Sequence, residues 1–296
     1  MKTLSIIDGS WFIFRARYAF PPLLNAAGQN QNVVYGTLRM LLKLISESAD
    51  YFVIARDSPT KTKRHEQYQD YKANRKKMED EFKMQIPLLR ELINELQIPN
   101  IAAPWYEADD IIATLTKKFQ KNSDLIIQVI SSDKDLKQLL HENVVVTDPL
   151  KNLTTRTPDF EKEFWFPPTS IVDYLALLGD SADNIKWVSG IWAKKASDLI
   201  QKYHTIENIY QNLEFLSPDL KNKLKEGEND AIFSKKLIEL LEVPELESTS
   251  LENLALNIDF QKWEKILIEK RGFKGIKKTF DELKKKYTQP QQLGLF

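Results

Sequence analysis

Leu4-Ser5-Ile6-Ile7-Asp8 is a short apolar run that stops on an acid. Its length suits a buried strand rather than a helix. The same signature returns twice. Tyr51-Phe52-Val53-Ile54-Ala55 is followed by Asp57, and the β-branched run Leu125-Ile126-Ile127-Gln128-Val129-Ile130 by Asp133. Between these strands the apolar residues fall at helical spacing: Val34, Leu38, Leu41, Leu42 and Ile45 within 33–46, then an amphipathic stretch over 82–96 and a helix over 106–119. Residues 98–102 and 144–146 add short apolar runs. Strands alternating with helices imply an α/β fold with a parallel sheet, flanked by crossover helices. Ligands of such sheets sit outside the carboxyl ends of the strands.

The chain has 296 residues, 42% hydrophobic and 28% charged, which is a globular composition. It has no Cys and three His (His65, His141, His204). Disulfides, Cys-ligated zinc and a multi-His metal site are therefore excluded. Asp8 interrupts the N-terminal apolar run before a signal peptide forms. No stretch approaches the ~20 apolar residues of a membrane span. The expectation is a cytoplasmic monomer with no membrane contact. A Gly-x-x-x-x-Gly-Lys loop is missing, which argues against an NTP-driven enzyme.

Basic and acidic residues balance at 42 each, but they are segregated. Lys61 to Lys77 carries a local balance of +5, and Lys262 to Lys286 one of +6. Segregated charge lets a neutral chain bind a polyanion. Strand signals stop near Pro167, where helical stretches take over, including 193–202, 218–225 and 232–241. The expected organisation is a catalytic α/β domain over 1–165, a helical region over 166–287 and an extended tail over 288–296.

The acids set the chemistry. Asp8, Asp57 and Asp133 end strands. Glu107, Asp109 and Asp110 open a helix, Asp135 follows Asp133 by two, and Asp180 and Asp183 begin the helical region. Any one of them alone reads as a cap. Collected on one sheet edge, so many carboxylates must protonate or gain cations, because a helix dipole supplies only about +0.5 charge. Hard oxygen donors select Mg²⁺ or Mn²⁺, and a set this large suits two ions about 4 Å apart.

Several motifs carry a family resemblance: Ile7-Asp8-Gly9-Ser10, Arg64-His65-Glu66, Tyr71-Lys72-Ala73-Asn74-Arg75, Tyr106-Glu107-Ala108-Asp109-Asp110, Asp133-Lys134-Asp135-Leu136 and Leu178-Gly179-Asp180-Ser181-Ala182-Asp183-Asn184. In this order they resemble the 5′ nuclease domain of bacterial DNA polymerase I, in the flap endonuclease family, here in a stand-alone form. The resemblance implies a PIN-like core, a helical arch over about 58–82 and a helix-three-turn-helix region. It implies two divalent-metal sites. Asp8, Asp57, Glu107, Asp109 and Asp110 match the first, and Asp133, Asp135, Asp180 and Asp183 the second.

If the arch segment is helical, Arg64, Tyr68, Lys72 and Arg75 form one stripe. Cations and a ring on one stripe suit a single strand. The resemblance implies that Lys72 and Arg75 contact the scissile phosphate and that Tyr71 stacks on the terminal base. His65 reads as structural. The family also has a glycine-rich turn with a monovalent-cation (K⁺) site. Here Trp187 and Trp192 replace two of those glycines, and their bulk argues against that site, while Lys194 and Lys195 remain for phosphate. Burial of both tryptophans in a redesigned turn is the expectation, and a wedge against a nucleic-acid end or a partner the alternative. Gln292-Leu293-Gly294-Leu295-Phe296 resembles the bacterial sliding-clamp motif, with Gln292, Leu293, Leu295 and Phe296 as its docking residues.

The implied function is a divalent-metal-dependent 5′→3′ exonuclease and 5′-flap endonuclease acting on flaps, 5′ ends and RNA–DNA junctions in replication and repair. The alternatives are a non-catalytic structure-specific DNA-binding protein and, more weakly, a PIN-like RNA nuclease.

Overall fold

The computed structural model describes residues 1–25, 27–47 and 50–288. In chain order the main elements are β1 (Lys2–Asp8), α1 (Gly9–Ala19), α2 (Asn32–Glu47), β2 (Tyr51–Ala55), α3 (Lys63–Gln67), α4 (Asp80–Glu95), β3 (Asn100–Ile101), α5 (Ala108–Phe119), β4 (Leu125–Ile130), β5 (Val144–Asp148), β6 (Leu153–Thr155), α6 (Thr157–Phe164), α7 (Ile171–Leu178), α8 (Ala193–Tyr203), α9 (Ile206–Gln211), α10 (Pro218–Ile238), α11 (Phe260–Glu264) and α12 (Lys277–Thr288). Two compact units share them, and neither follows the linear division of the chain. The first gathers Met1–Arg56, Met78–Ile101 and the chain from Ser248, and the second Asp57–Lys77 and Ala102–Glu247.

In the first unit β1, β2 and β3 pair in parallel, with Ile6 opposite Val53, Asp8 opposite Ala55, and Ala55 opposite Ile101. Leu4, Ile6 and Ile7 are fully buried, as are Phe52 and Val53. The α2 side chains Leu38, Leu41 and Leu42 belong to the same unit's core. The passage from β1 to α1 is tight. A Cβ at Gly9 would stand 2.7 Å from the Ala55 carbonyl oxygen, so the residue after Asp8 has room only for hydrogen. α12 packs on α2, and the Trp263 indole donates to the Leu96 carbonyl at 2.9 Å.

In the second unit β4 and β5 are parallel, as expected. β6 departs from the expectation of a parallel sheet. It returns antiparallel to β5 with Val146 opposite Thr155, because only four residues separate the two strands, too few for a crossover. Helices α7 to α10 follow. The two stretches expected over 218–225 and 232–241 are one helix, α10, in which Gly227 lets Val188 approach to 2.6 Å of where its Cβ would be. No helix among the described residues is long and apolar enough to cross a membrane.

Candidate active site

Asp8 lies in the first unit at the end of β1. It accepts from the Trp11 N–H at 3.0 Å and so caps α1. The other eight predicted ligands lie in the second unit.

Four acids gather at the start of α5. Asp57 accepts from the Ala108 N–H at 2.8 Å, which seats the strand-end loop on the helix N-terminus. Glu107 and Asp110 lie inside it, both buried, and Asp109 shares the same first turn. Asp110 is fully buried. It takes both amino groups of Arg64 at 2.8 Å, the Glu107 N–H at 3.0 Å and the Leu241 N–H at 2.8 Å. An ionised carboxylate offers about four acceptor sites, and these donors fill them. These bonds make Asp110 a strut for the start of α5.

Arg64 is buried with it. The side chain is 3% exposed and reaches the carbonyls of Leu237 and Glu239 as well as Asp110 and Glu107. Burial opposes its charge, yet Asp110 and Glu107 outweigh that cost and hold its pKa above the ordinary value. All of its hydrogen-bonding ends are spent inside the fold, and none is presented to DNA.

The expected helical stripe does not form. Only Lys63–Gln67 is helical, and residues 69–75 follow as turns and a bend. Tyr68 leaves the helix and packs edge-on against Phe233 at 5.4 Å. Tyr71 is buried, with its hydroxyl donating to Glu107 at 3.0 Å and its ring against His65. The Tyr71 ring offers no face to a base in this arrangement. Lys72 has φ of 59°, a left-handed conformation that ends any helix and is strained for a residue with a side chain. The strain is held by contacts on both ends. Its N–H donates to the Asp183 carbonyl at 3.0 Å, and its ammonium lies 2.8 Å from Glu107 and 3.9 Å from the Asp183 carboxylate. Arg75 pairs with Asp183 as well. Lys72 thus joins a carboxylate of each predicted metal set. Burial lowers its affinity for a proton, but Glu107 and Asp183 prevail and its pKa is raised.

The second set is held differently. Gly179 has φ of 66°, and a Cβ there would stand 2.6 Å from the Ile185 carbonyl oxygen. The glycine permits a tight loop closed by Asp180 N–H to Ile185 O and Ile185 N–H to Asp180 O. Asp180 pairs with Lys134 at 2.9 Å, and this cation, against the cost of burial, draws its pKa down. Among the described residues Asp133 and Asp135 form no ion pair. Burial first, and Asp183 and Asp180 behind it, raise Asp133. Burial and the neighbouring Asp133 push Asp135 up to about 8. The Oδ1 of Asp135 is buried without a hydrogen-bond partner.

Among the described residues no three His, Asp or Glu side chains form a ready-made cradle for an ion. Protein cations hold several of these carboxylates instead. The donors nonetheless fit a divalent cation. They are all oxygens, they repel one another, and one buried oxygen lacks any donor. His65 shares a 2.8 Å hydrogen bond with Thr62, as a structural role requires.

At the predicted glycine-rich turn Gly190 keeps a positive φ of 77°, whereas neither Trp187 nor Trp192 is left-handed. The indoles do not strain the backbone. They are 55% and 72% exposed, which corrects the expectation of burial. Val188 and Ile191, their neighbours, fill the interior in their place. Lys194 and Lys195 are exposed in the first turn of α8. The predicted clamp residues Gln292, Leu293, Leu295 and Phe296 lie outside the described residues.

Residues 3–164 match the N-terminal resolvase-like domain of 5′-3′ exonucleases, and residues 166–261 their C-terminal SAM fold. A 5′-3′ exonuclease of Aquifex aeolicus is 38% identical over the whole of both chains. The DNA polymerase I of Caldicellulosiruptor bescii is 37% identical over 79% of this chain, which spans 28% of that polymerase. A bacteriophage T5 flap endonuclease, solved with DNA and metal ions, superposes with a TM-score of 0.68 at 20% identity over 95% of this chain and 100% of its own. With both domain models matched and a full-length relative at that identity, the chain is a member of the 5′-3′ exonuclease family.

Proposed function

We propose that the chain is a divalent-metal-dependent 5′→3′ exonuclease and 5′-flap endonuclease that removes flaps or RNA primers at 5′ ends in DNA replication and repair. The observation that carries this reading is the buried Asp133–Asp135 pair, repelled by Asp180 and Asp183 and short of one donor. Nothing but a proton or a hard cation stabilises such a pair. The metal ions seen in the phage relative agree with the second choice.

Asp133, Asp135, Asp180 and Asp183 would hold one Mg²⁺ or Mn²⁺, and Asp57, Glu107 and Asp109 a second. When bound, such ions supply Lewis acidity and lower the pKa of water. The chain's own groups do the rest. Lys72 and Arg75, fixed beside Glu107 and Asp183, donate hydrogen bonds to the non-bridging oxygens of the scissile phosphate and stabilise the charge that grows there. Tyr71 holds Glu107 in place, and Arg64 holds the helix start that carries Glu107 and Asp109. Lys194 and Lys195 contact phosphates of the bound DNA. The tail residues Gln292, Leu293, Leu295 and Phe296 dock on the sliding clamp, which raises local concentration at primer junctions.

The test is a labelled 5′-flap duplex with Mn²⁺ or Mg²⁺. Wild-type protein cleaves it, and Asp109→Ala and Asp133→Ala do not. Cleavage that survives both substitutions, or none in wild type, defeats the reading. Clamp retention by full-length protein, lost in a chain ending at Gln289, tests the tail.

A further inference from the structure

Four of the six tryptophans, Trp105, Trp165, Trp187 and Trp192, are more than half exposed. Large aromatic rings are seldom left in water without a use. Trp187 and Trp192 stand apart because of how they are held. Ile191 N–H donates to the Val188 carbonyl at 3.1 Å, closing a turn over Ser189 and Gly190. Gly190 supplies the positive φ that the third position of such a turn demands. Val188 and Ile191 are 0% and 2% exposed and pin the turn from beneath. The two indoles are thus presented outward on the adjoining arms of one rigid turn.

The cations around them are available. Lys186 to Lys195 includes three Lys and no acid. Lys186 is paired with Asp230 at 3.2 Å, but Lys194 and Lys195 form no ion pair among the described residues. Both lie in the first turn of α8, where the helix dipole disfavours positive charge. Their placement costs the fold stability and suits a partner that is anionic. A partner with both negative charge and flat apolar faces is a nucleic acid. Paired bases in a duplex cover their faces by stacking on one another. Unpaired bases leave theirs open.

We propose that Trp187 and Trp192 stack on unpaired nucleobases of a single-stranded segment while Lys194 and Lys195 take its phosphates. The inference rests on the nuclease reading only in taking nucleic acid as the ligand. Binding is measured by fluorescence anisotropy of a labelled single-stranded oligonucleotide, with a chelator present so that nothing is cut. Trp187→Ala/Trp192→Ala weakens binding roughly tenfold or more and leaves the salt dependence as it was. Lys194→Ala/Lys195→Ala weakens it and reduces the slope of log K against log salt by about 1.4. Intrinsic fluorescence of the wild type is quenched on binding, and the quenching falls in Trp187→Phe/Trp192→Phe, which keeps the fold. Unchanged affinity in the tryptophan double variant, equal weakening toward a blunt duplex, or no binding by the wild type overturns the proposal. Absence of flap cleavage with metal would sink the nuclease reading and leave these readouts standing.

Discussion

Glu107 and Asp110 form one acidic pair, and Asp133 and Asp135 another, in the same compact unit. The first pair is answered by fixed cations and donors: Arg64 and Lys72 on Glu107, Arg64 and two backbone N–H groups on Asp110. The second forms no ion pair among the described residues, and the intervening Lys134 is turned to Asp180. Charge that fixed cations already answer makes the weaker demand on a metal ion. Charge left buried and short of partners is a demand for something from outside. Spacing in the sequence does not separate the two cases, since both read as strand-end or helix-start acids.

The sharpest way to break that contrast is to remove Arg64. Its loss strands Asp110 as a buried, unpaired carboxylate, and frees the carbonyls of Leu237 and Glu239 at the end of α10. Arg64→Ala is expected to lose about 3–5 kcal/mol in urea unfolding. Arg64→Met/Asp110→Leu removes both charges at once and recovers much of the loss. A single variant as stable as wild type would show that the pair is not the strut described above.

Lys72→Ala should act on rate instead of stability. Its ammonium is proposed to serve the phosphate, so kcat for flap cleavage should fall by about 10²–10³, the cost of deleting one preorganised donor. KM should change little. A drop in melting temperature that accounts for the lost activity would place Lys72 with Arg64 on the structural side.

How much of this was legible depended on whether the signal was local. Strands Tyr51–Ala55 and Leu125–Ile130 have the bounds their apolar runs indicate, because nearly continuous burial leaves little else to decide. The run from Lys61 to Lys77 misled for the opposite reason. Net charge is read along the chain, but the acids that pair with Arg64 and Lys72 come from α5 and from the loop after α7. Helical spacing also assumed a continuous helix, and the left-handed Lys72 that ends it carries no glycine or asparagine to announce itself. Gly179 and Gly190, by contrast, marked positions where positive φ is in fact used. The exposed tryptophans ran against the usual preference of indoles for the interior, and only the inward Val188 and Ile191 explain how the turn does without them.

The pH dependence of stability is the most direct measure of the unanswered pair. With its carboxyl pushed up to about 8, Asp135 keeps a proton in the folded protein over a range where the unfolded chain, with a pKa near 3.9, has released it. The folded state therefore binds more protons than the unfolded state between those values. The contribution of Asp135 to stability without metal falls as pH rises from about 4 to about 8, the reverse of a salt-bridged carboxylate. Urea midpoints taken across that range in a chelator should decline, and Asp135→Asn should flatten part of the decline. Added Mg²⁺ should raise the midpoint more at pH 8 than at pH 5, since a cation then takes the place of the proton. If midpoints rise with pH in the chelator, or Asp135→Asn leaves the profile unaltered, this pair is as well satisfied as Glu107 and Asp110, and the contrast between the two acidic pairs disappears.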